Sequence, residues 1–446
     1  MFKKYYLSFF LSNRFFVGIS ISVLLLMLAY FFPLILGLVK MAVVGLGILT
    51  FIDILLLYRW KAGIEAERVL PDRFSNGDDN EVLWRVANQY PYNIKLEIID
   101  ELPIQFQNRD ARHRCHLPTD QSQTIRYTLR PTERGQYFFG ALNIFAASPL
   151  GLVQRRYRFA AEGKMIAVYP SFLQMRQYEL LAATNRLQEY GIKRIRRIGQ
   201  SMEFEQIREY VSGDDYRNVN WKASARHNDI MVNQYEDEKA QPIVNVIDKG
   251  RVMRMPFEQL SLLDYAINAT LVIANIALKK GDKAGLLTFA HQIGSIVAPA
   301  KRGDQLWRIQ ETLYQESTNF LETDYEKLFI TVRRHLSHRC LLLLYTNFES
   351  LAALHRQLPF LRRLAKSHLL VVIFFENTEL RRLTNAPALD IEEVYQKTIA
   401  EKMAFEKRQI VKELQAHGIQ SILTTPQNLS VNTLNKYLEL KARGMI

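Results

Sequence analysis

Acids, bases and aromatics crowd most densely between Glu203 and Arg226, around a Gly-Asp-Asp turn. Arg208, Arg217 and Arg226 are spaced so that each guanidinium can fork onto a carboxylate such as Asp214, Asp215 or Glu238, and Trp221 offers a flat face to a cation. Tyr210, Gly213 and Ser224 complete this candidate binding network. Such a lattice can fasten one part of a protein to another or present a contact site, and its residue types suit both. The basic run Lys193 to Arg197 would meet anionic headgroups or stand as a solvated loop. It lacks the interleaved aromatics with which a protein stacks single-stranded nucleic acid, so no nucleic acid is expected as partner.

Reaction chemistry has little to stand on. There is no Gly-x-x-x-x-Gly-Lys-Ser/Thr phosphate loop, no His-Glu-x-x-His and no Gly-x-Ser-x-Gly elbow. The nine histidines share no ligand spacing, and Ser224 with His227 has no oriented base beside it. The expectation is a non-enzymatic protein with no cofactor.

The elements that hold these residues begin with an anchor. No charge occurs from Phe15 to Val39, and at ~1.5 Å per residue that run crosses a hydrocarbon core of ~30 Å. Lys40 interrupts it, and Met41 to Tyr58 follows with one carboxylate, Asp53. Residues 1–62 therefore read as a transmembrane helical hairpin, with spans at about 15–36 and 41–58 and a turn around Pro33 to Lys40. Lys3, Lys4 and Arg14 before the first span, and Arg59, Lys61, Arg68 and Arg73 after the second, outnumber Lys40 in the turn. That bias places both termini and the soluble domains on the cytoplasmic side of the membrane. Asp53 is expected to snorkel or to pair with Arg59.

Residues 63–170 alternate at period two, as in Ile94-Lys-Leu-Glu-Ile98 and the run Tyr137 to Phe145, between Gly- and Pro-bearing turns, which predicts a small antiparallel β-sandwich. Residues 171–240 hold a linker helix, Ser171 to Tyr190 closed by Gly191, and the motif segment. Over 241–446, continuous apolar runs such as Ile243 to Asp248, Cys340 to Phe348 and Leu369 to Glu376 alternate with helical stretches such as Phe257 to Lys280. This is the pattern of a doubly wound α/β domain with a largely parallel sheet. With 446 residues, 48% of them hydrophobic, and a formal net charge of +13, the chain is large enough for several cores and favours acidic partners. Its two cysteines, Cys115 and Cys340, build no disulfide framework.

The run Arg208-x-Tyr210-x-x-Gly213-Asp214-Asp215-x-Arg217-x-x-x-Trp221-Lys222-x-Ser224-Ala225-Arg226 resembles the signature of the bacterial domain-of-unknown-function family fifty-eight. The paired apolar spans, Glu133-Arg-Gly-Gln-Tyr137, Ser148-Pro-Leu-Gly-Leu152 and the strand ending at Asp248 resemble it too. The resemblance implies a von Willebrand factor A-like domain on a membrane anchor. It also implies an interaction protein working with a MoxR-type AAA+ ATPase in the assembly or maturation of other complexes, with further von Willebrand factor A-like membrane proteins as partners. Such domains often hold a divalent cation through Asp-x-Ser-x-Ser, a threonine and an aspartate. Here the matching positions read Asp248, Gly250, Val252, Thr346 and Asn347, a degenerate site with two hydroxyls and one carboxylate missing. No metal is expected, and Asp248 is expected to pair with Arg251 or to cap a helix. The competing expectation is a metal-dependent binding or hydrolytic domain at this carboxyl end of the sheet.

Overall fold

The computed structural model describes residues 7–60, 62–107, 112–183, 202–212, 214–227, 229–237, 240–318, 320–385, 387 and 390–445. The helix expected to Tyr190, the basic run Lys193 to Arg197, Gly213 and Glu238 therefore fall wholly or partly outside the described residues. The chain divides into two compact units, Met1–Tyr169 and Pro170–Ile446.

The first unit opens with a short strand, β1 (Phe9–Leu11), and two apolar helices, α1 (Asn13–Phe31) and α2 (Leu36–Tyr58), both long and apolar enough to cross a membrane. The turn takes up only the first part of the expected stretch Pro33 to Lys40. Proline restricts the residue before it to extended backbone, so Phe32 (φ −127°, ψ 81°) ends α1, a single 3-10 turn Pro33–Ile35 follows, and Lys40 sits inside α2.

Strands follow as β2 (Ile64–Val69), β3 (Arg73–Ser75), β4 (Asn80–Asn88), β5 (Ile94–Asp100), β6 (Arg112–Leu117), β7 (Ser122–Leu129), β8 (Gly135–Phe139), β9 (Leu142–Ala147), β10 (Val153–Phe159) and β11 (Lys164–Tyr169). They make three sheets, ordered β1-β10-β9-β5-β6, β2-β4-β7 and β3-β11-β8. All pairs are antiparallel except β3 with β11. The run Tyr137 to Phe145 is two strands in different sheets, because the chain turns at Gly140, where a Cβ would lie 2.6 Å from Glu101 Oε2. One core holds Trp84, Ile94, Ile98, Ile144 and Val153 together with Leu57 of α2, and a second gathers around Phe74, Tyr137 and Phe139. Between these strands Arg68 and Asp100 form a buried ion pair, and Asp100 also accepts from Tyr127 (2.7 Å) and Trp84 (3.2 Å).

In the second unit α3 (Phe172–Ala183) precedes a two-stranded ribbon, β12 (Met202–Glu209) with β13 (Met231–Asp237), and between them lies the short helix α4 (Trp221–His227). There follow β14 (Pro242–Asp248), the small hairpin β15 (Pro256–Phe257) and β16 (Leu260–Ser261), α5 (Leu262–Lys279), β17 (Lys283–Phe289) and β18 (Ile293–Ala300). Next come α6 (Gln305–Gln315), α7 (Tyr325–His335), β19 (Leu341–Tyr345), α8 (Leu351–Ser367) and β20 (Leu369–Phe375). The unit ends with α9 (Thr378–Asn385), α10 (Ile391–Ala416), β21 (Gln420–Thr424) and α11 (Leu429–Ala442). Helix α5 starts five residues later than Phe257 because Ser261 and Asp264 form a reciprocal capping box there.

The six-stranded sheet is ordered β18-β17-β14-β19-β20-β21, parallel throughout except at the edge strand β18, which carries Pro299 where an edge tolerates it. Alternate strand residues face opposite ways. Ile243, Ile247, Leu343 and Ile373 pack with α3, α5, α6 and α11, while Val244, Val246, Leu344 and Val372 pack with α7, α8 and α10. The strand order reverses between β14 and β19, so Asp248 and Thr346 emerge side by side at the carboxyl edge.

Candidate functional site

The motif sits on the β12–β13 ribbon, where the following bonds hold its frame. Arg208 grips Asp214 with two parallel bonds, Nη1 to Oδ2 at 2.8 Å and Nη2 to Oδ1 at 2.7 Å, and Asp214 also accepts from the Val211 amide at 3.0 Å. The Arg208 bonds hold the Asp214 carboxyl below its ordinary range. Asp215 accepts from the Arg217 amide (3.0 Å) and caps a 3-10 turn, Tyr216–Asn218. Ser224 donates to the Asn220 carbonyl and accepts from the Met231 amide, each at 2.9 Å. Asn220, which the sequence reading missed, caps α4 through Ala223 N and bonds Asn233 across the ribbon. Its signal was an asparagine directly before a helix start.

Among the described residues the other two arginines do not fork. Arg217 and Arg226 are exposed and ion-pair with no described residue, since local hydrogen bonds already engage Asp214 and Asp215. Trp221 is 74% exposed and Tyr216 73%, with Tyr210 and Val211 also open to solvent. The frame is thus internally tied, whereas the large aromatic and cationic side chains point outward.

Asp248 is buried and is bound from four sides. Its Oδ1 accepts from Gly250 N (2.8 Å) and Thr323 Oγ1 (2.7 Å), its Oδ2 from Thr346 Oγ1 (2.8 Å) and more distantly Tyr325 OH (3.5 Å). Arg251 turns instead to Glu322, at 3.7 Å, and the 3-10 turn that follows Gly250 has no side-chain cap. A carboxylate accepts about four such bonds, so this one is used up by protein donors. A serine at position 250 could not restore a metal loop, because its Cβ would fall 2.1 Å from Thr323 Oγ1. Val252 brings no oxygen, and the Asn347 oxygen is taken by Lys407 Nζ at 2.6 Å. These residues do not fit a hard divalent cation, which needs several free oxygens. Burial pushes the Asp248 carboxyl up, against the hydrogen bonds from Thr323, Gly250 and Thr346 that favour its charge. Beside it, Lys249 pairs with Glu316 at 2.8 Å.

Lys407 belongs to a crevice of about 370 Å³ at the same carboxyl edge, lined by apolar side chains including Phe257, Phe375, Leu380 and Met403. Its ammonium lies 5.7 Å from the centre of the Phe374 ring, and burial lowers it to about 8. Nothing local in the sequence marks Lys407, which is one of many lysines on a long polar helix. Among the described residues no three His, Cys, Asp or Glu side chains cluster as a metal site would need.

At the class level this is a mixed α/β protein with two N-terminal apolar helices and several sheets. Residues 206–416 match the family model described as "Protein of unknown function DUF58", which takes in the motif and most of the six-stranded sheet. The chain is also similar to the uncharacterized protein YeaD of Bacillus subtilis (strain 168), 26% identical over 263 residues, which are 57% of this chain and 62% of YeaD. It thus spans about three-fifths of the length of that relative. Among solved structures, the conserved hypothetical protein BatB from Bacteroides thetaiotaomicron is 13% identical at a TM-score of 0.31, covering 46% of this chain and 100% of BatB. Proximal thread matrix protein 1 from the mussel byssus is 12% identical at 0.27, covering 46% and 48%. Likenesses this slight carry no argument about fold or role.

Proposed function

We propose that this chain is a membrane-anchored interaction protein without a reaction of its own, whose ribbon motif contacts a partner. Its α/β unit is von Willebrand factor A-like, its soluble units are cytoplasmic, and its partner is a MoxR-type AAA+ ATPase engaged in assembling or maturing other complexes. The observation that carries this reading is the exposure of Trp221, Tyr216, Arg217 and Arg226 on a frame already tied by Arg208, Asp214 and Ser224. Tryptophan, tyrosine and arginine are the types that dominate binding energy at interfaces. The parallel sheet with helices on both faces supports the fold assignment, and the resemblance of the motif supports the partner.

The test is recovery of the ATPase with the tagged full chain from detergent-solubilised membranes. Trp221→Ala and Arg217→Ala should each cut recovery at least tenfold and leave the melting temperature within about 1 °C. Asp214→Ala should lower the melting temperature as well. Undiminished recovery with both outward variants would refute the contact assignment.

A further inference from the structure

The first membrane helix begins beside a cavity of about 680 Å³ in the first unit. Its lining brings together Arg14 at the start of α1, Lys95 of β5, and Arg112, Arg114 and His116 of β6. One carboxylate stands among these cations, Glu97, which bonds Arg114 at 3.1 Å and reaches Arg112 at 3.7 Å. Arg14 and Lys95 have no carboxylate partner among the described residues, and both are exposed. Four permanent cations against one anion leave an attractive field that water alone does not neutralise.

Position selects the occupant. Helix α1 is uncharged from Phe15 onward, so the helix turn carrying Asn13 and Arg14 marks where the hydrocarbon region ends. Strand β1 pairs with β10, and Ser12 donates to the Gly151 carbonyl, so sheet and helix start are held together. The cavity therefore opens at headgroup depth, where anionic phosphates are concentrated. Apolar groups on its floor, Leu11, Leu96 and Phe145, suit the glyceryl and upper acyl part of a lipid.

We propose that this cavity is a headgroup site for an anionic phospholipid of the bilayer that α1 and α2 cross. Arg14, Lys95 and Arg112 hold the phosphate, and Arg114 is shared with Glu97. The site rests on the helices spanning a membrane and is independent of any partner at the ribbon.

The full chain in neutral detergent would be titrated with dihexanoyl phosphatidylglycerol, dihexanoyl phosphatidylcholine and inorganic phosphate, with bound lipid read by native mass spectrometry. Phosphatidylglycerol should be retained and phosphatidylcholine not. At about a fivefold effect per cation at an anionic surface, the triple variant Arg14→Gln, Lys95→Gln, Arg112→Gln should weaken retention about a hundredfold. Glu97→Gln should strengthen it, a gain that misfolding cannot mimic. Equal retention of the two lipids, displacement by inorganic phosphate at the lipid's own concentration, or a loss of retention in Glu97→Gln would overturn the assignment. If lipid selectivity fails while the chain still requires detergent, the anchor stands and only this site falls.

Discussion

Asp53 lies within α2, one of the helices long and apolar enough to cross a membrane, yet its carboxylate is fully buried in the protein. Ser148 Oγ donates to Oδ1, and the amides of Leu152 and Val153 donate to Oδ2 at 2.8 Å each. It neither snorkels nor pairs with Arg59, because these three donors, between Ser148 and Val153, supply its bonds among the described residues. Asp53→Ala would leave two amides and a hydroxyl without an acceptor, at about 1–3 kcal/mol each. We expect it to cost the full chain about 3 kcal/mol or more in denaturant unfolding in detergent, with Asp53→Asn recovering part. The residue was conspicuous in the sequence. Its partners were not, since Ser148 stands 95 positions away and no local pattern links the two.

Lys407 gives a prediction in pH. Burial lowers its ammonium to about 8, against ~10.4 for an ordinary lysine, so between those values the unfolded chain binds more protons than the folded one. Stability should therefore rise as pH goes from about 8 to about 10, and Lys407→Met should flatten that rise. Chemical denaturation at a series of pH values reads both. Asp248 runs the other way: its folded value is raised, so its contribution is present below the unfolded carboxylate value and fades as pH rises through the folded one.

At the scale of elements, the last turn of α2 shows how the apolar helices are joined to the strands. A helix end leaves carbonyls unbonded. Here Leu56 O accepts from Tyr92 OH (2.9 Å), and Leu57 O accepts from Tyr90 OH (2.9 Å) and Arg155 Nη1 (2.7 Å). The Arg155 guanidinium also lies against the Tyr58 and Tyr157 rings, a cation at the negative end of the helix. Gly63 admits the Tyr90 ring, and a Cβ there would fall 2.1 Å from Cζ. Gly63→Ala should displace Tyr90 and raise amide hydrogen exchange in the last turn of α2, with the central sheet strands unchanged.

The strands of the large sheet were legible because burial on both faces writes them as unbroken apolar runs. Strand β18 was not, since an edge position lets it carry Gly294, Ser295 and Pro299 among its apolar residues. The β8–β9 break was hidden for a related reason: alternation continues through Gly140, and the close approach of Glu101 that forces the turn comes from elsewhere in the chain. In the motif, the fold of the ribbon decided which arginines pair, and residue types alone had offered all three.

For the molecule as a whole, hydropathy and packing separate. Among the described residues three helices are long and apolar enough to cross a bilayer, yet Leu262–Lys279 has 83% of its apolar window buried inside the protein, against 6% and 11% for the two N-terminal helices. Cysteines at Ala274 and at Val44 should therefore behave oppositely. A lipid-phase maleimide should label Val44→Cys in native membranes and leave Ala274→Cys unlabelled until denaturation. The chain should stay in the membrane fraction through an alkaline carbonate wash, and a C-terminal tag should resist protease in intact spheroplasts and yield in lysed ones. A tag cleaved in intact cells would invert the proposed orientation.

A helix that ends in a free linker lets what it carries swivel, and α2 does not end that way. The Asp53 carboxylate, Tyr90, Tyr92 and Arg155 fasten α2 to the sheets of the first unit, and strand β1 fastens the start of α1, so in the proposed membrane setting a sideways pull on those sheets would arrive in the bilayer as a change of helix tilt. Under the proposed anchoring the hairpin is then less a tether than the short arm of a lever, able to report in the lipid what happens to the sheets beside it.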